Sequence, residues 1–191
     1  MVEESEPGSN LTMYKHKAVG GNGGYSFDSG CNPSGVTKVH IECGYMRFRG
    51  FTYLSTIKRI FLEFSSSYGE QKVPMYHGCG VEKSDNKTFT FYATASDPIA
   101  KVNVWSDERV AKAVQFETRN GVISPMYGIT EAGETLTVFQ GGNDAHLVGI
   151  HGRFGGLIDM LGFTFASSGD TLIPFATATA MKSVKSEKIH P

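Results

Sequence analysis

Near the C-terminal end of the chain runs Gly152-Arg153-Phe154-Gly155-Gly156-Leu157-Ile158-Asp159. One carboxylate follows a glycine-rich turn by a few residues and stands at the head of an apolar stretch. Glycine lets backbone N–H groups turn toward a small polar guest, and a carboxylate beside them adds acceptors to those donors. A sugar diol offers a donor and an acceptor at each hydroxyl, so it needs both kinds of partner. These residue types in this order point toward carbohydrate binding. The plainer reading of Asp159 is a turn or strand-start aspartate that ties its own loop by hydrogen bonding.

Other chemistry is weakly supported. The cluster Gly20-Gly21-Asn22-Gly23-Gly24 has Ser26 where a G-x-G-x-x-G fingerprint needs its third glycine, and no helical pattern follows it, which argues against dinucleotide binding. No G-x-x-x-x-G-K-[ST] phosphate loop exists. His146 and His151 flank a strand with Asp144 nearby, yet no third ligand falls at an ordered spacing and no nucleophile motif is present, so they read as strand or surface histidines. A hydrolase built on Asp159 and His151 is the enzymatic alternative; no catalytic residues, no metal and no cofactor are expected. Cys31, Cys43 and Cys79 are odd in number and share no CxxC spacing, which disfavours a disulfide framework and a zinc knuckle and leaves small buried thiols. Trp105 and the phenylalanines read as core.

The elements that must position Asp159 are strands. The 191 residues suit one domain, and 23 Gly with 13 Phe favour strands joined by tight turns. Thr37-Lys38-Val39-His40-Ile41-Glu42, Thr88-Phe89-Thr90-Phe91-Tyr92-Ala93 and Glu134-Thr135-Leu136-Thr137-Val138 alternate with the period of half-buried strands. One longer pattern, an apolar residue, two spacers and then alternation, occurs three times. It fits Ile57-Lys58-Arg59-Ile60-Phe61-Leu62-Glu63-Phe64, Ala111-Lys112-Ala113-Val114-Gln115-Phe116-Glu117-Thr118 and Ile158-Asp159-Met160-Leu161-Gly162-Phe163-Thr164-Phe165. The copies start about 50 residues apart, which predicts three similar sheet units.

A formal net charge of -1 argues against nucleic-acid and anionic-membrane partners, and no apolar run approaches the roughly 20 residues of a membrane helix. The start, Met1-Val2-Glu3-Glu4-Ser5-Glu6-Pro7, has no basic or apolar segment of a signal peptide. A cytoplasmic or non-classically secreted protein is therefore expected, and the sequons at Asn10 and Asn86 matter only for a secreted chain. Residues 1–13 read as a flexible leader, 14–166 as the domain and 167–191 as an extension. The middle of that extension adds a strand or packs on the body, and the basic run from Lys182 to Lys188 ends as a solvated terminus.

The chain resembles the jacalin-related lectins. The resemblance rests on Gly20-Gly21-Asn22-Gly23-Gly24-Tyr25-Ser26-Phe27-Asp28, on Phe116-Glu117-Thr118-Arg119-Asn120-Gly121 with Tyr127-Gly128, and most specifically on Val148-Gly149-Ile150-His151-Gly152-Arg153-Phe154-Gly155-Gly156-Leu157-Ile158-Asp159-Met160-Leu161-Gly162. It covers roughly residues 14–166. It implies an all-β fold, a β-prism I of three four-stranded Greek-key-like sheets with pseudo-threefold symmetry. It also implies a sugar site at one end of the prism, formed by Gly23, Gly24, Gly155, Gly156, Leu157, Ile158 and Asp159, with a possible selectivity loop at Arg119, Asn120, Gly121 and Val122. In that scheme Asp159 accepts from two hydroxyls of a mannose-type ring, while N–H groups of Leu157, Ile158 and Gly24 donate.

Galactose-preferring relatives are cut in the glycine-rich loop. The unbroken 20–24 segment resembles the mannose/glucose branch, so mannose-type monosaccharides, oligomannose glycans and glycoproteins are the expected partners. The positions matching Asp159 are Lys58 and Lys112, which cannot accept a hydrogen bond, so one site per chain is expected. Avidity then calls for a homodimer or higher homo-oligomer. The alternative is a β-prism protein-interaction or structural module without sugar binding. The stretch from Cys43 to Ser55 is longer and less regular than the family's second hairpin, which leaves its strand register open.

Overall fold

The computed structural model describes residues 11–48, 51–65, 71–72, 87–168 and 180–182. The leader up to residue 10, Cys79, the sequon at Asn86 and residues 183–188 of the basic run lie outside them. Every named element is a strand and every pairing is antiparallel. The first sheet contains β1 (Leu11–Lys15), β2 (Val19–Gly20), β3 (Tyr25–Asp28), β12 (His146–Phe154) and β13 (Ile158–Ser168), in the order β1-β13-β12-β3, with β2 also on β13. The second contains β4 (Val36–Phe48), β5 (Phe51–Phe64), β6 (Gln71–Lys72) and β7 (Lys87–Tyr92), in the order β6-β5-β4-β7. The third contains β8 (Ile99–Ser106), β9 (Ala111–Thr118), β10 (Tyr127–Gly128), β11 (Thr135–Gln140) and β14 (Ala180–Lys182), in the order β10-β9-β8-β11-β14.

Among the described residues two sheets are thus five-stranded rather than four-stranded. Short β2 joins β13 beyond the end of β1, and β14 adds the extension's one described strand to the edge of β11. Residues 11–13, expected to belong to the leader, pair with Ser168, Ser167 and Ala166 of β13. The irregular hairpin stays paired out to Phe48 opposite Phe51, with its register shifting after Glu42 and after Gly44.

Each copy of the repeat sits in a different sheet, on β5, β9 and β13. Each carries a β-bulge at the same place. Pairing skips Lys58 between Arg59 and Ile57, Lys112 between Ala113 and Ala111, and Asp159 between Met160 and Ile158. A bulge inserts one residue and shifts the inward face by one position. This accounts for the two spacers that open the pattern: the first apolar residue stays inward only if one extra residue is looped out. Ile57, Ala111 and Ile158 are all buried, as are Ile60, Val114 and Leu161 after them.

The three sheets close on one core, where Phe91, Phe116 and Phe163, one from each, meet. The Phe116 ring lies 5.9 Å from Phe91 and 6.4 Å from Phe163, and Phe139 lies 5.2 Å from Phe163. Each such side chain contributes about 1.5–3 kcal/mol on full burial. Buried Cys43 packs here, and desolvation pushes its thiol up to about 12. On the second sheet, Lys38 Nζ donates to Glu63 Oε2 at 2.8 Å and His40 Nε2 meets Glu63 Oε1 at 2.7 Å. This prism holds the β12–β13 turn and the β2–β3 loop side by side at one end.

Candidate functional site

Asp159 is the looped-out residue of the bulge on β13, and this aims its side chain away from the core. The carboxylate faces glycines from two loops far apart in sequence. A Cβ placed on Gly23 would lie 3.2 Å from Asp159 Cγ, one on Gly24 2.5 Å from Oδ2, and one on Gly155 3.2 Å from Oδ2. Gly24 also holds φ at 60°, a left-handed conformation, and a Cβ there would run into Phe154 O. The β2–β3 loop is anchored by Gly21 N–H donating to Asp159 O at 2.8 Å. The β12–β13 turn closes with Gly155 N–H donating to Leu157 O at 2.9 Å.

No described residue hydrogen-bonds the Asp159 carboxylate. An aspartate that tied its own loop would show such a bond, so the plainer reading fails. The group is half-buried, and desolvation raises its pKa, with the positive charge of Arg153 opposing the rise. Arg153, the penultimate residue of β12, bonds the facing loop and the start of β3 through all three guanidinium nitrogens. Nε donates to Gly23 O at 2.8 Å, Nη2 to Gly24 O at 2.7 Å and Nη1 to Ser26 Oγ at 3.1 Å. Leu157 and Ile158 have buried side chains, so anything they offer a guest comes from the backbone. Tyr25 stands 76% exposed beside the loop, its ring 6.4 Å from Phe154.

The family model for the Jacalin-like lectin domain matches residues 16–164. The chain belongs to that family. It is 30% identical over 166 residues to Jacalin-related lectin 32 of Arabidopsis thaliana, covering 84% of this chain and 50% of that protein. The chain thus spans about half the length of the curated relative it matches. Among solved structures it superimposes on a mannose-specific jacalin-related lectin from Morus nigra in complex with mannose. The TM-score is 0.66 at 18% identity, covering 85% of this chain and 99% of that one. It also superimposes on an artocarpin–mannopentose complex, with a TM-score of 0.64 at 18% identity, covering 80% and 97% of the two chains. These likenesses establish the jacalin-type β-prism fold.

Within this jacalin-like prism the expected selectivity residues are not beside Asp159. β12 runs from His146 to Phe154, and its Phe154 end carries the carboxylate turn. Arg119 Nη2 donates to Asp144 O, just before the other end of β12. Arg119, Asn120, Gly121 and Val122 therefore occupy the opposite pole, where Asn120 N–H is held by Asp97 Oδ1 at 2.8 Å. The loop that does reach the site is 107–110, between β8 and β9. Its Arg109 backbone packs on Gly21, where any Cβ would strike Arg109 O, and a groove lined by Gly20, Asp107, Glu108 and Arg109 opens beside it.

The repeat held the signal for this loop. Residues 107–110 immediately precede the second copy, as the Gly155 turn precedes the third, so pseudo-threefold symmetry brings both to one end. Residues 119–122 follow a copy and are carried to the other. The histidines are tied to backbone: His146 Nε2 meets Pro33 O at 3.0 Å and His151 Nε2 meets His16 O at 2.9 Å. No group of three or more metal-ligating side chains occurs among the described residues.

Proposed function

We propose that this chain is a carbohydrate-binding lectin that takes mannose- or glucose-type sugars and mannose-containing glycans at the Asp159 end of the prism, by binding and not by catalysis. The observation that carries the reading is the half-buried Asp159 carboxylate, facing Gly23, Gly24 and Gly155 with no hydrogen-bond partner among the described residues. Partial desolvation makes such an acceptor favour a partner over water, and two adjacent sugar hydroxyls would satisfy both of its oxygens. The three glycines put no side chain of their own against the carboxylate, and the N–H groups of Gly24 and Leu157 would supply donors. Charge-assisted bonds of this kind are the strong ones.

The mannose preference is drawn from the mannose complexes of the structural neighbours and from the unbroken 20–24 loop. One site per chain follows from Lys58 and Lys112 at the matching bulges. A single shallow site of this kind binds near the millimolar level, about -4 kcal/mol. Useful avidity then comes from homo-oligomers, with a homodimer the simplest.

A second reading, a protein-interaction module, is favoured by the apolar side chains Val122, Ile123, Met126 and Ile129, all 40% or more exposed on one segment. A glycan array probed with wild type and with Asp159→Ala separates the two. Mannose-glycan binding lost in the variant supports the lectin. An array blank for the wild type refutes it.

A further inference from the structure

Arg153 does more than fill the surface of β12. The carbonyls of Gly23 and Gly24 are consecutive, and in an extended strand they would point in opposite directions. The left-handed φ of 60° at Gly24 turns both toward one side, and the two guanidinium nitrogens Nε and Nη2 meet them at 2.8 and 2.7 Å. In a planar trans peptide the N–H points opposite to its C=O. Holding Gly23 O on the guanidinium therefore turns the Gly24 N–H away from it. The same loop places Gly24 against the Asp159 carboxylate. The third nitrogen, on Ser26 Oγ, fixes the guanidinium plane.

We propose that Arg153 is the positioning residue of the sugar site: by clamping the Gly23 and Gly24 carbonyls it holds the β2–β3 loop in its guest-accepting shape beside Asp159. This rests on the reading of Asp159 as the sugar acceptor. A planar fork holds its donors at fixed angles to two adjacent carbonyls and a hydroxyl. A lysine keeps the charge but gives up that geometry. The clamp has a second consequence, because the guanidinium is the charged group that acts on Asp159 from β12. On the 107–110 loop behind Gly21 stand Asp107, Glu108 and Arg109, and further along the first sheet lie Lys15, Asp28 and His151. Arg153 favours the ionised carboxylate against the desolvation that opposes it.

The test is an NMR titration of the full chain with methyl-α-mannoside between about pH 7 and about pH 4, on wild type, Arg153→Lys, Arg153→Gln and Asp159→Ala. Arg153→Gln is expected to weaken binding by about tenfold or more and to move the acid midpoint of binding to higher pH. Arg153→Lys is expected to weaken binding while leaving that midpoint in place. A merely structural role would not move the midpoint. Affinity within about twofold of wild type in Arg153→Gln, or a loss with an unmoved midpoint, overturns the proposal. If Arg153→Gln does not fold, undiminished affinity in Arg153→Lys overturns it instead. Binding that survives Asp159→Ala refutes the site itself. Binding lost in Asp159→Ala but intact in both Arg153 variants refutes only the clamp.

Discussion

Replacing Asp159 by asparagine isolates charge from shape. The side chains are nearly isosteric, so the cradle of Gly23, Gly24 and Gly155 is left undisturbed. The carboxylate has no hydrogen bond to break among the described residues, so the fold loses only the attraction of the Arg153 charge. It gains more, since the desolvation of the charged group outweighs that attraction. The sign follows from the raised pKa: relative to the unfolded value of 3.8, the folded state takes up its proton at higher pH. The ionised group therefore weighs against folding at neutral pH, and that burden is relieved as pH falls through the folded value.

The thermal midpoint of Asp159→Asn should accordingly equal or exceed that of wild type. Sugar binding should go the other way. Two bonds from hydroxyls to a carboxylate are each worth about 1.5–3 kcal/mol. Asparagine keeps one neutral acceptor and turns the other into a donor, so a loss of about 2–3 kcal/mol is expected. That is roughly 30- to 150-fold in affinity and takes a millimolar site out of the measurable range. Chemical-shift titration with methyl-α-mannoside, beside differential scanning calorimetry of the free protein, reads both. A variant that binds within about threefold of wild type, or one that melts markedly lower, would refute the reasoning.

Other expectations follow from the same geometry. Gly24→Ala should lower both affinity and thermal midpoint, because the left-handed backbone costs about 1–2 kcal/mol for an L residue and the methyl group meets Phe154 O and Asp159 Oδ2; calorimetry and the same titration check it, and a fully stable, fully binding variant would contradict it. Arg119→Ala and Val122→Ser should leave monosaccharide affinity unchanged, since they lie at the opposite pole; a clear loss would place the selectivity loop where the family resemblance implied it. Glu63→Gln should destabilise the prism by about 1.5–3 kcal/mol through its bonds to Lys38 and His40. The Lys38 bond comes first in holding the Glu63 carboxyl below its ordinary 4.5. Wild type should therefore hold that margin above pH 4.5 and lose it as pH falls toward the lowered folded value, narrowing the gap to the variant in acid-melting curves.

How much of this was legible in the sequence depends on the range of the physics involved. Alternation along a strand is a local property, so the all-β class and the inward residues Ile60, Val114 and Leu161 could be read from spacing alone. The threefold repeat was legible for the same reason. The identity of Asp159 as the odd residue among Lys58 and Lys112 was legible too. What spacing could not convey was that the two opening spacers mark a bulge, because a bulge is defined by the partner strand's register. Arg119, Asn120, Gly121 and Val122, which the resemblance implied as a selectivity loop, lie away from Asp159 for a related reason: which end of a prism a loop reaches depends on strand direction in the closed fold. Arg153 gave no local signal of its role, since its acceptors lie about 130 residues earlier in the chain.

The sequence by itself determined that one carboxylate follows a glycine turn at the head of the third repeat. Only the tertiary structure decided that this carboxylate meets no donor among the described residues, that Gly23 and Gly24 stand against it, and that Arg153 holds them there. Residue order dictates what each strand buries, because burial alternates locally. A binding site is set by contacts between segments whose separation along the chain says nothing of their distance in space.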